Sequence, residues 1–169
     1  ANYNLGCSQL SYIVPGNEVY HADYPYRPGI TKQIVEHHAS QASENIKKYG
    51  IDNRSLVVDI GSNDGNLLSN FKDNFKVLGV TPESIGKIAI KKGIPTILNY
   101  FNLKTANLII KKYKRAKIIT ATNVFAHMDN LDEIMKGIKK CLDKNGVFIT
   151  ESHYLMPLLK ETQYDTVYH

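Results

Sequence analysis

The residues best suited to chemistry lie in the segment DIGSNDGNLL, which spans residues 59–68. Gly61 and Gly65 stand there among small polar side chains, directly after an apolar run. Glycine adopts positive φ and lets a ligand approach the backbone without a Cβ in the way. Asn63 and Asp64 tolerate left-handed conformations and supply polar groups. The segment therefore predicts a ligand-binding loop between a buried strand and a helix.

The spacing of this loop, D-x-G-x-x-x-G, limits the class of ligand. It is not the G-x-G-x-x-G pattern of dinucleotide sites, and it lacks the G-K-[ST] of a phosphate loop. Asp59, just before Gly61, would repel a pyrophosphate, but it can accept hydrogen bonds from a cationic ligand. The amino-acid end of S-adenosylmethionine is such a ligand. The alternative is a strand–turn–helix junction whose polar residues only cap the helix.

The elements around the loop alternate between strands and helices. Short apolar runs predict strands at residues 56–60, 77–81, 94–98, 117–121 and 147–151. Apolar residues at helical spacing predict helices at 30–49, 65–72, 83–92, 103–114 and 130–142, with Gly50 ending the first. Lys144-Asn145-Gly146 predicts the turn into the last strand. This alternation predicts an α/β fold, a doubly wound and mostly parallel sheet with ligands beyond the carboxyl ends of its strands.

Composition describes an ordinary globular domain of 169 residues, 43% apolar and 22% charged. No apolar run reaches the roughly 18 residues of a membrane-spanning helix, and the first residues do not resemble a signal peptide. Cys7 and Cys141 form neither a disulfide framework nor a metal-ligand spacing. We therefore expect no metal, no membrane partner and a cytoplasmic location.

The net charge of +5 raises the question of a nucleic-acid partner. The lysines recur in the segments IKKYG, IKKGI, IKKYKR and IKKCLDKNG, each at the expected end of a helix. Cations there complement the helix dipole. Only three of the 21 basic residues are arginine, the better side chain for bidentate phosphate contacts. We therefore expect no nucleic-acid partner.

Six segments in order resemble the sugar C-methyltransferases, S-adenosylmethionine-dependent enzymes that methylate a carbon of a nucleotide-linked deoxysugar. The segments are YPYRPG (24–29), DIGSNDGNLL (59–68), GVTPES (79–84), ATNVFAHMDNL (121–131), GVFITESHYL (146–155) and DTVYH (165–169). DIGSNDG together with NVFAH is the most specific pair. The resemblance implies a Rossmann-like class I methyltransferase sheet of order 3-2-1-4-5. It also implies S-adenosylmethionine as cofactor, S-adenosylhomocysteine as product, and a nucleotide-sugar substrate used in deoxysugar biosynthesis.

The resemblance also implies roles for particular residues. Cofactor-binding candidates are Asp59, Gly61, Ser62, Asn63, Gly65, Thr81, Glu83, Asn123 and Phe125. Catalytic candidates are Tyr24, Tyr26, His127, Tyr168 and His169. Thr81 stands where the family usually has an acidic residue for the ribose hydroxyls, and Glu83 is the nearest carboxylate. Phe125 is a candidate for the core or for the wall of the adenine pocket.

Methylation at carbon needs a carbon nucleophile. A keto group next to the sugar carbon lets a base remove the α-proton, and the resulting enolate attacks the methyl group. The site must supply a base and donors for the enolate oxygen. Histidine suits the base role because it titrates near neutral pH. Each of these candidates also has a purely structural interpretation. His127 could cap a helix, and Tyr24 and Tyr26 could pack against the sheet edge.

The domain organisation that we expect is an extended lead-in over residues 1–29, the tail of a preceding module, and a methyltransferase domain over 30–169. Family enzymes carry a small zinc module before this region and an α/β domain after it. The chain ends within the family's Y-H-E-H motif, at Tyr168 and His169. We expect it to be part of a longer protein, able to bind cofactor but catalytically impaired alone. The alternatives are a small-molecule O- or N-methyltransferase of the same fold and a non-catalytic scaffold domain.

Overall fold

Five short apolar segments form a single parallel sheet. The computed structural model describes residues 14–15, 18, 28–82, 84–152 and 154–162. Its strands are β1 (Leu56–Ile60), β2 (Lys76–Val80), β3 (Thr96–Ile97), β4 (Ala116–Thr122) and β5 (Leu142–Glu151). They run parallel in the order β3-β2-β1-β4-β5. The predicted doubly wound topology is confirmed.

Helices connect the strands and cover both faces of the sheet. The described helices are α1 (Lys32–Tyr49), α2 (Asn66–Ser69), α3 (Gly86–Lys91), α4 (Leu103–Tyr113), α5 (Leu131–Cys141) and α6 (Leu155–Lys160). Short 3-10 turns occur at Pro28–Ile30 and Phe125–His127. Gly50 ends α1 in the left-handed conformation, with φ of 55°, as its position predicted.

Both faces of the sheet are covered by apolar packing. Successive residues of each strand point to opposite faces, so each strand contributes to both. In β1, Val58 and Ile60 join the cluster built with α4 and α5, whereas Val57 joins the cluster built with α1, α2 and α3. All five residues of β1 are buried, as expected for a central strand of a parallel sheet. The alternation places Asp59 on the same face as Val57, the face covered by α1, α2 and α3.

The repeated lysines lie in the last turns of four helices, as predicted. They are Lys47 and Lys48 of α1, Lys91 of α3, Lys111 and Lys112 of α4, and Lys139 and Lys140 of α5. Cations at these ends stabilise the helix by roughly 0.3–1 kcal/mol each at low ionic strength. Seven of the 21 basic residues therefore lie at helix C-termini.

One predicted feature was wrong, because Lys144-Asn145-Gly146 does not precede the last strand. β5 begins at Leu142, directly after α5, so these residues lie inside it. Leu142 pairs with Ala116 and Val147 pairs with Ile118, which leaves residues 143–146 opposite Lys117 alone. Lys117 Nζ donates to the Asn145 carbonyl at 2.9 Å. The turn-forming residues therefore make a bulge, whose extra residues a straight ladder cannot pair.

Candidate active site

The loop after β1 reverses direction through three residues in the left-handed region. Gly61, Asn63 and Gly65 have φ of 75°, 50° and 78°, the conformations that these residue types favour. The amides of Gly61 and Ser62 donate to the Val80 carbonyl at 2.8 and 3.2 Å. The loop is thereby held against the carboxyl end of β2, where a ligand of this fold binds.

Neighbouring side chains come so close to both glycines of the loop that a methyl group would not fit at either position. A Cβ at Gly61 would lie 2.8 Å from Cγ2 of Val124, and one at Gly65 would lie 2.7 Å from Cδ1 of Ile94. Gly65 thus lets the loop pack onto the core beside Ala89. Gly61 both accommodates Val124 and lines the neighbouring cavity.

Asp59 is a buried carboxyl group at the end of β1. It is 3% exposed, and its Oδ1 accepts a hydrogen bond from Thr120 Oγ1 at 2.7 Å. Burial raises the pKa of Asp59 to about 7, and the Thr120 hydroxyl acts in the opposite direction. A cationic ligand near this carboxyl would favour its ionised form.

A cavity of about 260 Å³ opens beyond the carboxyl ends of β1, β2 and β4. Its apolar walls are Ile60, Val80, Pro82, Phe101, Val124, Met128 and Ile134. Its polar rim is formed by Asn102, His127, Asp129, Asn130 and Glu133, with Tyr100 beside them. Mostly apolar walls with a few polar groups suit a flat organic ligand.

Thr81 and Ser62 are buried and lie outside the wall of this cavity. Thr81 is 1% exposed, and its amide donates to the Ile97 carbonyl at 3.1 Å. A Cβ at Gly86 would lie 2.6 Å from Thr81 Cγ2, so the start of α3 rests on this side chain. Ser62 points toward Gly79, where a Cβ would overlap its hydroxyl. Their roles toward a cofactor stay predictions.

The residues after β4 are divided between two environments. His127 ends the 3-10 turn, is exposed and lines the cavity. Phe125 is half-buried and meets Phe148 edge to face, with ring centroids 5.5 Å apart. Asn123 has φ of 54° and donates from Nδ2 to Oε1 of Glu151 at 3.1 Å. Phe125 therefore packs toward β5, and Asn123 turns the chain toward Val124.

Five predicted residues lie outside the described part of the chain. They are Tyr24, Tyr26, Glu83, Tyr168 and His169. Their catalytic and cofactor-binding roles stay predictions.

Comparison with known proteins places this geometry in a family. A family described as "Methyltransferase domain" matches residues 34–165, which is most of the chain. This chain belongs to the methyltransferase domain family. C-methyltransferase NovU of Streptomyces niveus is 29% identical over 154 residues, or 90% of this chain and 37% of that protein. The chain therefore spans well under half of its curated relative.

Solved methyltransferases share the fold of the domain. An S-adenosylmethionine-dependent methyltransferase from Clostridium acetobutylicum superposes with a TM-score of 0.57 at 20% identity, covering 75% of this chain and 54% of that one. The plantazolicin methyltransferase BpumL, solved with S-adenosylhomocysteine, gives 0.59 at 12% identity, covering 81% and 52%. The predictions of a methyltransferase and of S-adenosylmethionine as its cofactor are confirmed at the level of the family. Among the described helices of the domain, none is long and apolar enough to cross a bilayer.

The residues of the methyltransferase domain fit this cofactor. The cavity offers apolar walls for an adenine ring, with Asn102 and Asn130 at its rim. Gly61 brings the backbone to the same cavity, and Asp59 supplies a carboxyl group at the strand end just before it. The adenine ring of the cofactor would thus meet apolar walls, its polar groups would meet the asparagines of the rim, and its cationic end would meet the carboxyl group of Asp59.

Sequence patterns missed several residues that build the candidate site. Val124 covers Gly61, and Asn102, which caps α4 by accepting from the Thr105 amide at 2.9 Å, also lines the cavity. Lys92 Nζ donates to the carbonyl and Oδ2 of Asp64 at 3.1 and 3.2 Å. Only Asn102 carried a local signal, an asparagine before a helix. The others act through contacts between residues distant in the chain.

Proposed function

We propose that the protein containing this chain transfers a methyl group from S-adenosylmethionine to a carbon of a nucleotide-linked keto-deoxysugar. The observation that carries the proposal is the loop after β1, in which Gly61 lines the cavity and the buried Asp59 stands two residues before it. It occurs in a chain that resembles a C-methyltransferase along 90% of its length. A cytoplasmic setting and the domain division at residues 29 and 30 belong to the same proposal.

The cofactor, when bound, supplies an electrophilic methyl group on a positively charged sulfur. Asp59 lies at the loop as a hydrogen-bond acceptor for a cationic end group, and Gly61 lets the ligand approach the backbone. The apolar walls at Val80, Pro82 and Val124 exclude water from the flat part of the ligand. Thr81 and Glu83 are assigned to the ribose region, and Ser62, Asn63, Gly65, Asn123 and Phe125 shape the loop and the strand ends.

The acceptor must lose a proton from carbon before that carbon can be methylated. A keto group next to the carbon makes the proton acidic, and a base positioned nearby removes it. His127 lines the cavity within the described residues. The proposed catalytic residues also include Tyr24, Tyr26, Tyr168 and His169. The tyrosine hydroxyls would donate to the enolate oxygen. Hydrogen-bond donors aimed at a developing oxyanion lower the barrier of such a step.

The decisive experiment has two stages and uses the full-length protein. Calorimetric titration with S-adenosylmethionine and S-adenosylhomocysteine comes first, with Asp59→Ala as the variant. Binding that is lost in Asp59→Ala supports the cofactor site. Absence of binding by folded wild-type protein would contradict the whole proposal.

Acceptor profiling comes second. Nucleotide-linked sugars that carry a keto group are compared with the same sugars after reduction to the alcohol. Methylation at carbon of the keto sugars alone is the expected result. Methylation of hydroxyl or amino groups irrespective of the keto group would instead favour an O- or N-methyltransferase of the same fold.

A further inference from the structure

A histidine and a glutamate from distant parts of the chain meet at the carboxyl edge of the sheet. Nε2 of His37, on α1, lies 2.6 Å from Oε2 of Glu151, the last residue of β5. Gln41 Nε2 donates to the same Oε2 at 3.2 Å, and Asn123 Nδ2 donates to Oε1 at 3.1 Å. Both carboxylate oxygens are therefore engaged, which fixes the direction in which Glu151 faces His37.

The His37–Glu151 pair lies next to the loop at residues 61–65, which we call the cofactor loop. Glu151 lies opposite Thr122 in the sheet register, and its carbonyl accepts the Asn123 amide at 2.8 Å. Val124, the next residue, covers Gly61. The cavity assigned to the cofactor lies on one side of this turn, and the histidine–glutamate pair lies at the ends of β4 and β5. Ligands of open α/β sheets bind beyond these strand ends.

The turn before α1 and the first half of α1 each contact the same loop or the helix that follows it. Gly29, in the turn before the helix, lies so close to Asp64 that a Cβ there would overlap its carboxyl group. His38 Nδ1 lies 2.8 Å from Asn66 Oδ1, at the start of α2. The helix thus bridges the cofactor loop and the end of β5, and His37 is positioned between them.

One nitrogen of His37 remains available for chemistry. Its side chain is 54% exposed, whereas that of Glu151 is 29% exposed. Among the described residues, the structure gives Nδ1 of His37 no hydrogen bond. An imidazole that donates Nε2–H to a carboxylate presents Nδ1 as an acceptor. The carboxylate also stabilises the imidazolium that forms when Nδ1 takes a proton.

We infer that His37, and not the cavity-lining His127, is the proton acceptor for the methyl-acceptor substrate, and that Glu151 positions it. The inference rests on the proposed function. In the step assigned to the pair, the C–H bond next to the keto group breaks and Nδ1–H forms. The electron pair of the C–H bond stays on the substrate as the enolate. His37 is then a catalytic residue, and Glu151 is a positioning residue that acts through it.

The test measures proton exchange at carbon, which is separate from methyl transfer. The full-length protein is incubated with S-adenosylhomocysteine and a thymidine diphosphate-linked keto-deoxyglucose in deuterated water, and deuterium at the α-carbon is followed by mass spectrometry. We expect wild-type protein to exchange and His37→Ala to exchange at least about 100-fold more slowly, the usual contribution of a general base. Imidazole added to His37→Ala should restore exchange, because the vacated site is partly open to solvent.

Two further variants separate catalysis from structure. Glu151→Gln should lower the rate of exchange by about tenfold or more with little change in the substrate concentration at half-maximal rate, because orientation rather than binding is lost. Glu36→Ala removes an exposed carboxylate from the adjacent position of α1 and should exchange like wild type. Binding of S-adenosylhomocysteine, measured by calorimetry, should be retained in all variants.

The outcomes distinguish the inference from the proposed function. Exchange by His37→Ala at the wild-type rate would overturn the inference and leave the proposed function standing. Slow exchange that imidazole does not restore, together with weakened cofactor binding, would show a structural role and also overturn it. Cofactor binding without any exchange in wild type would overturn both the inference and the C-methylation proposal. Absence of cofactor binding in wild type would remove the proposed function itself.

Discussion

Thr120 Oγ1 donates a hydrogen bond of 2.7 Å to Asp59 Oδ1, across two neighbouring central strands. The two residues are partners in the register of β1 and β4, and Thr120 is fully buried. Burial raises the pKa of Asp59 to about 7, whereas the hydroxyl lowers it. Asp59 is therefore a carboxyl group whose charge depends on pH near neutrality, and a cationic ligand would draw it to the ionised form.

Asp59→Asn should increase stability and weaken cofactor binding. In the folded chain the pKa of Asp59 lies near 7, above the 3.8 of an ordinary aspartate. Because the folded pKa is raised, the stability contributed by this group is complete below about 3.8 and is lost as pH rises through about 7. The neutral asparagine removes that loss, so its free energy of unfolding should exceed that of wild type at mildly alkaline pH.

Urea unfolding at acidic and alkaline pH checks the stability change, with the exposed Asp73→Asn as control. In calorimetry, Asp59→Asn should bind S-adenosylmethionine about 10- to 100-fold more weakly, the cost of losing a charged hydrogen bond. Wild-type affinity in this variant would refute the assignment of Asp59 to the cofactor. An unchanged pH dependence of stability would refute the account of its burial.

Thr120→Val should raise the pKa of Asp59 above its wild-type value, because it removes the hydroxyl that stabilises the carboxylate. Cofactor binding should then reach half its maximal affinity at a higher pH than in wild type. Stability should fall by about 1 kcal/mol, the usual net value of one hydrogen bond. Thr120→Ser keeps the hydroxyl and should behave like wild type. Titration with S-adenosylhomocysteine over a pH series would count against this account if the three proteins gave the same midpoint.

Residue types along the chain predicted the elements that local physics determines. Buried strands are nearly continuous apolar runs, so β1 was predicted at residues 56–60, where it occurs. Gly61, Asn63 and Gly65 have the left-handed conformations that their types favour. Alternation of strands and helices then predicted a parallel sheet, because parallel strands need crossover connections. The strand order was predicted only by the resemblance to sugar C-methyltransferases.

Contacts between distant residues had no such local signal. Thr120 is 61 residues from Asp59, and Glu151 is 114 residues from His37. The bulge at residues 143–146 depends on the register with β4, which the sequence of β5 alone does not encode. The candidate site was thus predictable where one segment forms it, and not where the fold brings two segments together.

Lys92→Met should loosen the cofactor loop. Lys92 Nζ donates to both the carbonyl and the side chain of Asp64, whose carboxylate is 6% exposed. Because Lys92 itself is 40% exposed, we expect a modest loss of stability, about 1 kcal/mol. Affinity for S-adenosylhomocysteine should fall several-fold as the loop becomes less ordered. Lys91→Met, an exposed neighbour on α3, is the matched control, and equal effects in both variants would contradict a specific role for Lys92.

Gly61→Ala should be more damaging than the same change at another glycine with positive φ. Gly61 and Gly93 have φ of 75° and 79°, but a Cβ would meet Val124 at 2.8 Å only at Gly61, whereas nothing lies within 4 Å at Gly93. Backbone strain alone should cost Gly93→Ala roughly 1–2 kcal/mol. Gly61→Ala adds a steric conflict of roughly 1–3 kcal/mol and should abolish cofactor binding.

Adding Val124→Ala to Gly61→Ala removes Cγ1 and Cγ2, two of the three Val124 atoms close to the new Cβ, and leaves the Cβ of residue 124 at 2.9 Å. The double variant should therefore recover at least about 0.5 kcal/mol relative to the sum of the single changes, the signature of residues in contact. Urea unfolding of the four proteins measures this coupling energy, and calorimetry with S-adenosylhomocysteine measures binding. Strict additivity would mean that the two methyl groups of Val124 do not restrict the side chain at this position. Recovery of stability without recovery of binding would show that the ligand itself, and not only Val124, needs the space beside Gly61.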